Sequence, residues 1–178
     1  MQNKKVRETV LSGIFIALGL VLPVAFHALG AGSTFLPMHI PVLLAGFVVS
    51  VPFAVAVGAI TPILSFLFTG MPPVFPVLPF MVFELATYGA IASLLFRKFR
   101  LNVYISLIGS MIAGRIVSSI VVWVLATFFM AKLPNPFVFI TGGIVEGIPG
   151  IIIQIIFIPG IVLALEKSKL IKREGISA

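Results

Sequence analysis

Three ionisable residues, Glu84, Arg115 and Glu146, lie inside long apolar runs of this 178-residue chain. A charge in the middle of a membrane span costs on the order of 3 kcal/mol on insertion scales, so such groups normally face a protein interior or a wet cavity. Two carboxylates and a guanidinium at one depth could hold a polar small molecule, or exchange protons with it as acid and base. A structural ion pair between Arg115 and one glutamate, locking helices together, is the competing reading, although it leaves the second carboxylate unexplained.

Depth can be counted from a helical rise of about 1.5 Å per residue. Glu84 and Glu146 each stand about 10 Å below the outer starts of their runs at Val77 and Phe139. Arg115 climbs about 18 Å from Val103, which in a hydrocarbon core of about 30 Å leaves it near 12 Å below the same surface. The three charges are expected in one layer of the outer half of the membrane. Helical spacing adds Phe80, Thr87 and Tyr88 around Glu84, Ser118 and Ser119 around Arg115, and Gly150 and Gln154 after Glu146. The pattern predicts a cavity open to the outside, with an aromatic wall and a few aimed polar groups. His39, in LPMHIPVLLAGF, stands at its outer entrance, where binding suits it better than proton relay; an interfacial or internally satisfied side chain is the alternative. His27 has a weaker claim. Neither histidine has the neighbours of a metal site.

The elements that must carry these residues follow from composition. Hydrophobic residues make up 60% of the chain and charged residues 10%, which leaves too little polar surface for a water-soluble globule. The net charge of +7 does not point to nucleic acid, because the cations sit in short clusters between apolar runs rather than on one solvated face. The absence of cysteine removes disulfides, thiolate nucleophiles and thiolate metal sites. Six runs are long or apolar enough to be spans: Thr9 to Leu29, Leu36 to Val49, Pro52 to Phe68, Val77 to Phe96, Val103 to Phe129, and Phe139 to Leu165. The second and third are short, and a broken hairpin that does not fully cross is an alternative for them. The first exceeds a usual signal core and is read as a retained span.

Lys4, Lys5 and Arg7 precede the first run, Arg97, Lys98 and Arg100 join the fourth to the fifth, and Lys167, Lys169, Lys172 and Arg173 follow the sixth. Basic loops stay cytoplasmic, so an even number of spans puts all of these on one face. The expected fold is an all-α membrane protein: a single domain over residues 1–178, a six-transmembrane-helix bundle, N and C termini cytoplasmic. The external loops LGAGSTFLP, TGMPPVFPVLP and AKLPNPF are apolar and rich in proline, which fixes φ. They are expected to fold over the cavity, with Phe35, Phe75 and Asn135 as contacts, or else to lie in the headgroup layer. Small residues four apart, Gly13/Ala17, Ala54/Gly58, Gly109/Ala113 and Gly143/Gly147, permit close helix approach. Gly13 and Ala17, near the cytoplasmic end, could instead receive another protein. GSMIAGRI has P-loop glycine spacing but lacks the Lys and Ser/Thr that hold phosphate and magnesium. Any ATP-driven work must come from another chain.

MHIPVLLAGF (38–47), GMPPVFPVLPFMVFELATYG (70–89), AGRIV (113–117) and IPGIIIQIIFIPGIVLALEK (148–167) together resemble the substrate-binding S component of energy-coupling factor (ECF) vitamin transporters, over nearly the whole chain. The resemblance implies a multi-pass protein of the plasma membrane that binds a water-soluble vitamin from outside under the loops between spans. It implies no catalysis and no cofactor in this chain, since the partners, a membrane coupling subunit and two ATPases, hydrolyse the ATP. Docking through small residues of the first helix carries over to Gly13 and Ala17. The expected substrate-binding residues are His39, Phe75, Phe80, Glu84, Tyr88, Arg115, Ser119, Asn135, Glu146 and Gln154. Arg115 suits an anion such as pantothenate, whereas the glutamates suit hydroxyl- or amine-bearing rings such as hydroxymethylpyrimidine or pyridoxine. A membrane-embedded enzyme using Glu84 and Glu146 as acid and base, or a small channel, remains the alternative.

Overall fold

The apolar runs fold as helices because helices satisfy every backbone donor and acceptor within one segment, which lipid demands. The computed structural model describes residues 4–28, 30, 32–128, 136–168 and 171. The helices are α1 (Lys4–Ala28), α2 (Gly32–Phe35), α3 (His39–Val48), α4 (Val51–Thr69), α5 (Val77–Ser93), α6 (Val103–Phe128), α7 (Pro136–Glu146) and α8 (Ile148–Lys167), and α5 continues into a π-helical turn at Leu94–Lys98. Five helices, counting α5 with its π turn as one, are long and apolar enough to cross a membrane.

Two expected spans differ in form. The second is α3, ten residues long and therefore about 15 Å in rise, half of a bilayer core. Positions 41–47 are all buried, so α3 is enclosed by protein. That explains why its sequence shows no polar face. The sixth run is interrupted at Gly147, between α7 and α8. Pro149 at the start of α8 has no N–H to offer the preceding turn, so the two pieces do not continue one ladder.

The core is built on α3, α4 and α5, with α1 against α3 and α4, and with α6 against α5. Small residues set the close crossings. A Cβ at Gly58 of α4 would strike the backbone carbonyl of Leu85 in α5, and one at Gly89 would strike the carbonyl of Ala54. The expected pair Ala54/Gly58 is thus internal packing. Gly13 of α1 has nothing within 4 Å of an added Cβ, and both Gly13 and Ala17 face outward. α8 packs on α2, α3 and α6, while α7 sits at the edge of the bundle against α6 and α8.

A charged cluster fastens the basic end. Glu8 of α1 is buried, accepts a hydrogen bond from the Ser50 hydroxyl at 2.6 Å, and faces the Arg97 guanidinium at 3.6 Å. Arg97 also donates to the Val48 carbonyl at 2.9 Å, and Ser93 donates to the Val49 carbonyl at 2.9 Å. A cation at these last carbonyls of α3 favours the negative end of its dipole. The π turn, closed by Phe99 N–H donating to Leu94 O at 3.0 Å, carries Arg97 into this position. Arg97, expected in the basic connection between the fourth and fifth runs, is therefore a buried structural cation.

Candidate functional site

The site lies at the opposite end of the bundle, where the C-terminal turns of α1 and α4 meet the N-terminal turns of α3 and α5. Residues four, seven and eleven positions after Val77 share its face of α5. Val77 and Met81 face a cavity of about 410 Å³; Glu84 and Tyr88, further along, are buried. From α1 come Pro23, Val24 and His27, and from α4 Ser65 and Thr69 at i and i+4. The segment Leu36 to His39 and the loop residues Met71, Pro72 and Pro73 complete the wall. The Thr69 hydroxyl fixes the loop's departure: it donates to the Ser65 carbonyl at 2.7 Å and accepts from Met71 N–H at 3.2 Å. Gly70 follows in the left-handed region at φ 72°, which glycine adopts without a Cβ penalty.

Next to the cavity is a buried charge network. Glu84 Oε1 accepts a hydrogen bond from Tyr88 OH at 2.8 Å and stands 3.1 Å from Arg115 Nη1 of α6. His39 Nε2 lies 4.0 Å from the same oxygen. The expected meeting of Glu84 and Arg115 thus occurs. Gly114 makes room for it: a Cβ there would enter the Tyr88 ring, so the glycine before Arg115 lets α6 approach α5 at this level. The Tyr88 ring in turn packs tilted against His39, with centroids 5.6 Å apart.

His39 joins the two parts. It is 4% exposed, lines the cavity, faces Glu84 through Nε2, and has no hydrogen-bond partner at Nδ1. A buried polar atom without a partner costs roughly 1–3 kcal/mol.

The remaining expected residues divide. Glu146 does not join the layer. It ends α7 with an exposed side chain, and among the described residues no ion pair links it to Glu84 or Arg115. The depth count for Glu146 gave a height and assumed an inward face, whereas α7 lies at the edge with Thr141, Gly142, Gly143 and Val145 also exposed. Ser119 donates to the carbonyl of Arg115 at 2.6 Å and does not belong to the cavity wall. Gln154 is 1% exposed with Nε2 lacking a hydrogen-bond partner, but it lies outside the cavity wall. Phe75 is 44% exposed and Phe80 half-buried; neither belongs to that wall. Phe35 packs instead on Phe26, with centroids 5.5 Å apart, and its carbonyl abuts Gly150 of α8. Asn135 lies outside the described residues.

Several wall residues carried little or no weight in the sequence. Pro23 with His27, and Ser65 with Thr69, are polar or proline pairs at i and i+4 near helix ends, and that spacing was the available signal. The arrangement can enclose a small molecule, offer it apolar contact, and set the polar residues His39 and Ser65 in its wall. It does not bring two carboxylates together for acid–base work, since Glu84 is buried and Glu146 is exposed.

A family model described as "ECF transporter, substrate-specific component" matches residues 7–162. Neither the curated proteins nor the solved structures contain a match to the chain.

Proposed function

The chain belongs to the family of ECF transporter substrate-specific components, and on that premise we propose that it is the high-affinity capture subunit of an ABC-type importer for a water-soluble vitamin or vitamin precursor. The single observation that carries this reading is His39, held between the cavity and the network of buried Glu84 and Tyr88 with half-buried Arg115. The cavity volume of about 410 Å³ falls within the roughly 300–1,000 Å³ range of small-molecule sites.

In this reading the cavity end faces outward. Lys4, Lys5, Arg7, Lys98, Arg100 and Lys167 gather at the other end, which the distribution of basic residues assigns to the cytoplasm. Six passages with both termini cytoplasmic follow if α3 serves as a short second passage and α7 with α8 as the sixth. The loop from Gly70 to Pro76 folds over the substrate, and Phe75 and Phe80 close on it as the loop moves. Glu84 and Arg115 hold the floor rigid, which lowers the ordering cost of binding. The partners are a membrane coupling subunit and two ATPases, and ATP hydrolysed there reorients this subunit to release the substrate inward. Gly13 and Ala17, outward and unobstructed on α1, receive the coupling subunit.

Reconstitution tests this. Proteoliposomes containing the chain and a coupling module should accumulate radiolabelled hydroxymethylpyrimidine, pyridoxine or pantothenate only with internal ATP. Uptake by the chain alone down a gradient would instead indicate the channel alternative, and chemical conversion of the compound would indicate the enzyme.

A further inference from the structure

One wall of the cavity belongs to a helix that is anchored toward its basic end and exposed beyond its middle. α1 buries Glu8, Ser12, Gly19 and Pro23. Glu8, bonded to Ser50 and facing Arg97, pins the basic end. At Gly19 the helix presses on α4, where an added Cβ would run into the Thr61 side chain. Thr61 is itself fully buried, and its hydroxyl donates to the Val57 carbonyl at 2.6 Å, so this contact is firm. Beyond Pro23 the character changes. Val24 is 52% exposed, Ala25, His27 and Ala28 are exposed as well, and Phe26 leans on Phe35 of the short α2. Pro23, Val24 and His27 line the cavity. The turn is closed by Gly30, whose N–H donates to the His27 carbonyl at 2.9 Å and whose φ of 68° suits a residue without a Cβ.

Pro23 marks the boundary in covalent terms. It has no N–H, so the Gly19 carbonyl one turn below receives no α-helical hydrogen bond from position 23. Bending α1 at this rung forfeits no bond there, and sharp helix bends concentrate at proline. We propose that the outer turn of α1, residues 24–28, is a movable wall of the cavity, swinging on Pro23 about the Gly19 and Thr61 contact to admit the cargo from the side. The movement serves entry on the capture reading above, on which this inference rests. Displacing Val24 and His27 uncovers the part of the wall formed by Ser65, Thr69, Val77 and Met81, while α3, α4 and α5, which build the core, stay in place.

The chain has no cysteine, so introduced thiols can be labelled selectively. Electron–electron distance measurements on the detergent-purified chain compare two pairs of spin labels. One pair, at Ala25→Cys and Trp123→Cys, reports on the turn beyond Pro23; the other, at Ile14→Cys and Ile112→Cys, reports on the anchored part, and all four positions are exposed. The first pair should give a broad or two-peaked distribution and the second a single narrow one. Pro23→Ala restores the N–H and makes bending cost a hydrogen bond, so it should narrow the first distribution and leave the second unchanged. Access to the cavity is read separately from the rate at which a water-soluble thiosulfonate modifies Met81→Cys. Pro23→Ala should slow that rate about two- to tenfold, the equivalent of one net hydrogen bond, while Phe75→Cys in the exposed loop keeps its rate. A first pair as narrow as the second, a first distribution indifferent to Pro23→Ala, or a Met81→Cys rate that is not slowed each overturns the movable wall. Should Pro23→Ala fail to fold, the comparison of the two pairs with Pro23 in place decides. None of these readouts uses a ligand, so their failure leaves capture standing, and a failure of uptake in reconstitution leaves the measured motion standing.

Discussion

Replacing Glu84 by glutamine should destabilise the protein in a way that a second substitution repairs. The carboxylate stands 3.1 Å from the Arg115 guanidinium, with side-chain exposures of 2% and 22% respectively. At an effective dielectric of about 20, that separation corresponds to about 5 kcal/mol of attraction. The net effect is smaller, because burying both groups carries a desolvation cost and glutamine still accepts from Tyr88. Breaking a buried pair typically costs roughly 3–5 kcal/mol. The partial exposure of Arg115 argues for about 2–3 kcal/mol here. For a chain of this size that is a fall of about 5–10 °C in midpoint. Because the chain has no cysteine, thiol-reactive dyes will not report unfolding, and recovery of monodisperse protein after heating in detergent is the suitable assay. Arg115→Met should cost a similar amount by stranding Glu84. The Glu84→Gln, Arg115→Met double variant should then be less destabilised than the sum of the singles by at least about 1 kcal/mol. Strict additivity, or a midpoint for Glu84→Gln within about 1 °C of the wild type, a shift worth only a fraction of a kcal/mol, would refute the argument that this pair organises the floor of the site.

Glu8→Gln should lower the thermal midpoint by a few degrees through loss of the buried pair with Arg97, at about 1–3 kcal/mol, while ligand affinity at the far end stays unchanged in titration. Gly58→Ala should destabilise by about 1–3 kcal/mol or prevent folding, because the new methyl meets backbone rather than a yielding side chain; normal expression and midpoint would contradict the close α4/α5 crossing. Replacing Gly13 and Ala17 together by leucine should leave midpoint and ligand binding near wild type, since both positions are open, but abolish co-purification with a coupling module. Glu146→Gln should leave ligand affinity unchanged, and a large loss would restore Glu146 to the site despite its exposed side chain.

How far the sequence could be read depended on whether local arithmetic or tertiary register decided the outcome. Glu84 and Arg115 were placed together correctly because each lies in an uninterrupted helix, α5 or α6, and a fixed rise converts residue number into depth. The same arithmetic gave Glu146 a height but no direction, since facing depends on how α7 packs at the edge. α3 has no polar face because protein surrounds it, and an enclosed short helix cannot be told from a lipid-facing span by hydropathy alone. The Glu8 and Arg97 pair was illegible for a different reason. Its members looked like ordinary charges beside membrane spans, and only the π turn after Ser93 brings the guanidinium onto Val48 and Glu8. The cavity draws on the ends of four helices and a loop, so no single run of sequence announced it.

Native mass spectrometry of the purified chain, released gently from detergent, addresses capture most directly. The account predicts a one-to-one adduct with a small molecule that is lost when Met81 at the cavity wall is replaced by tryptophan while the bundle remains folded. A folded wild-type chain that carries no adduct, and gains none from any vitamin or precursor supplied, would contradict it.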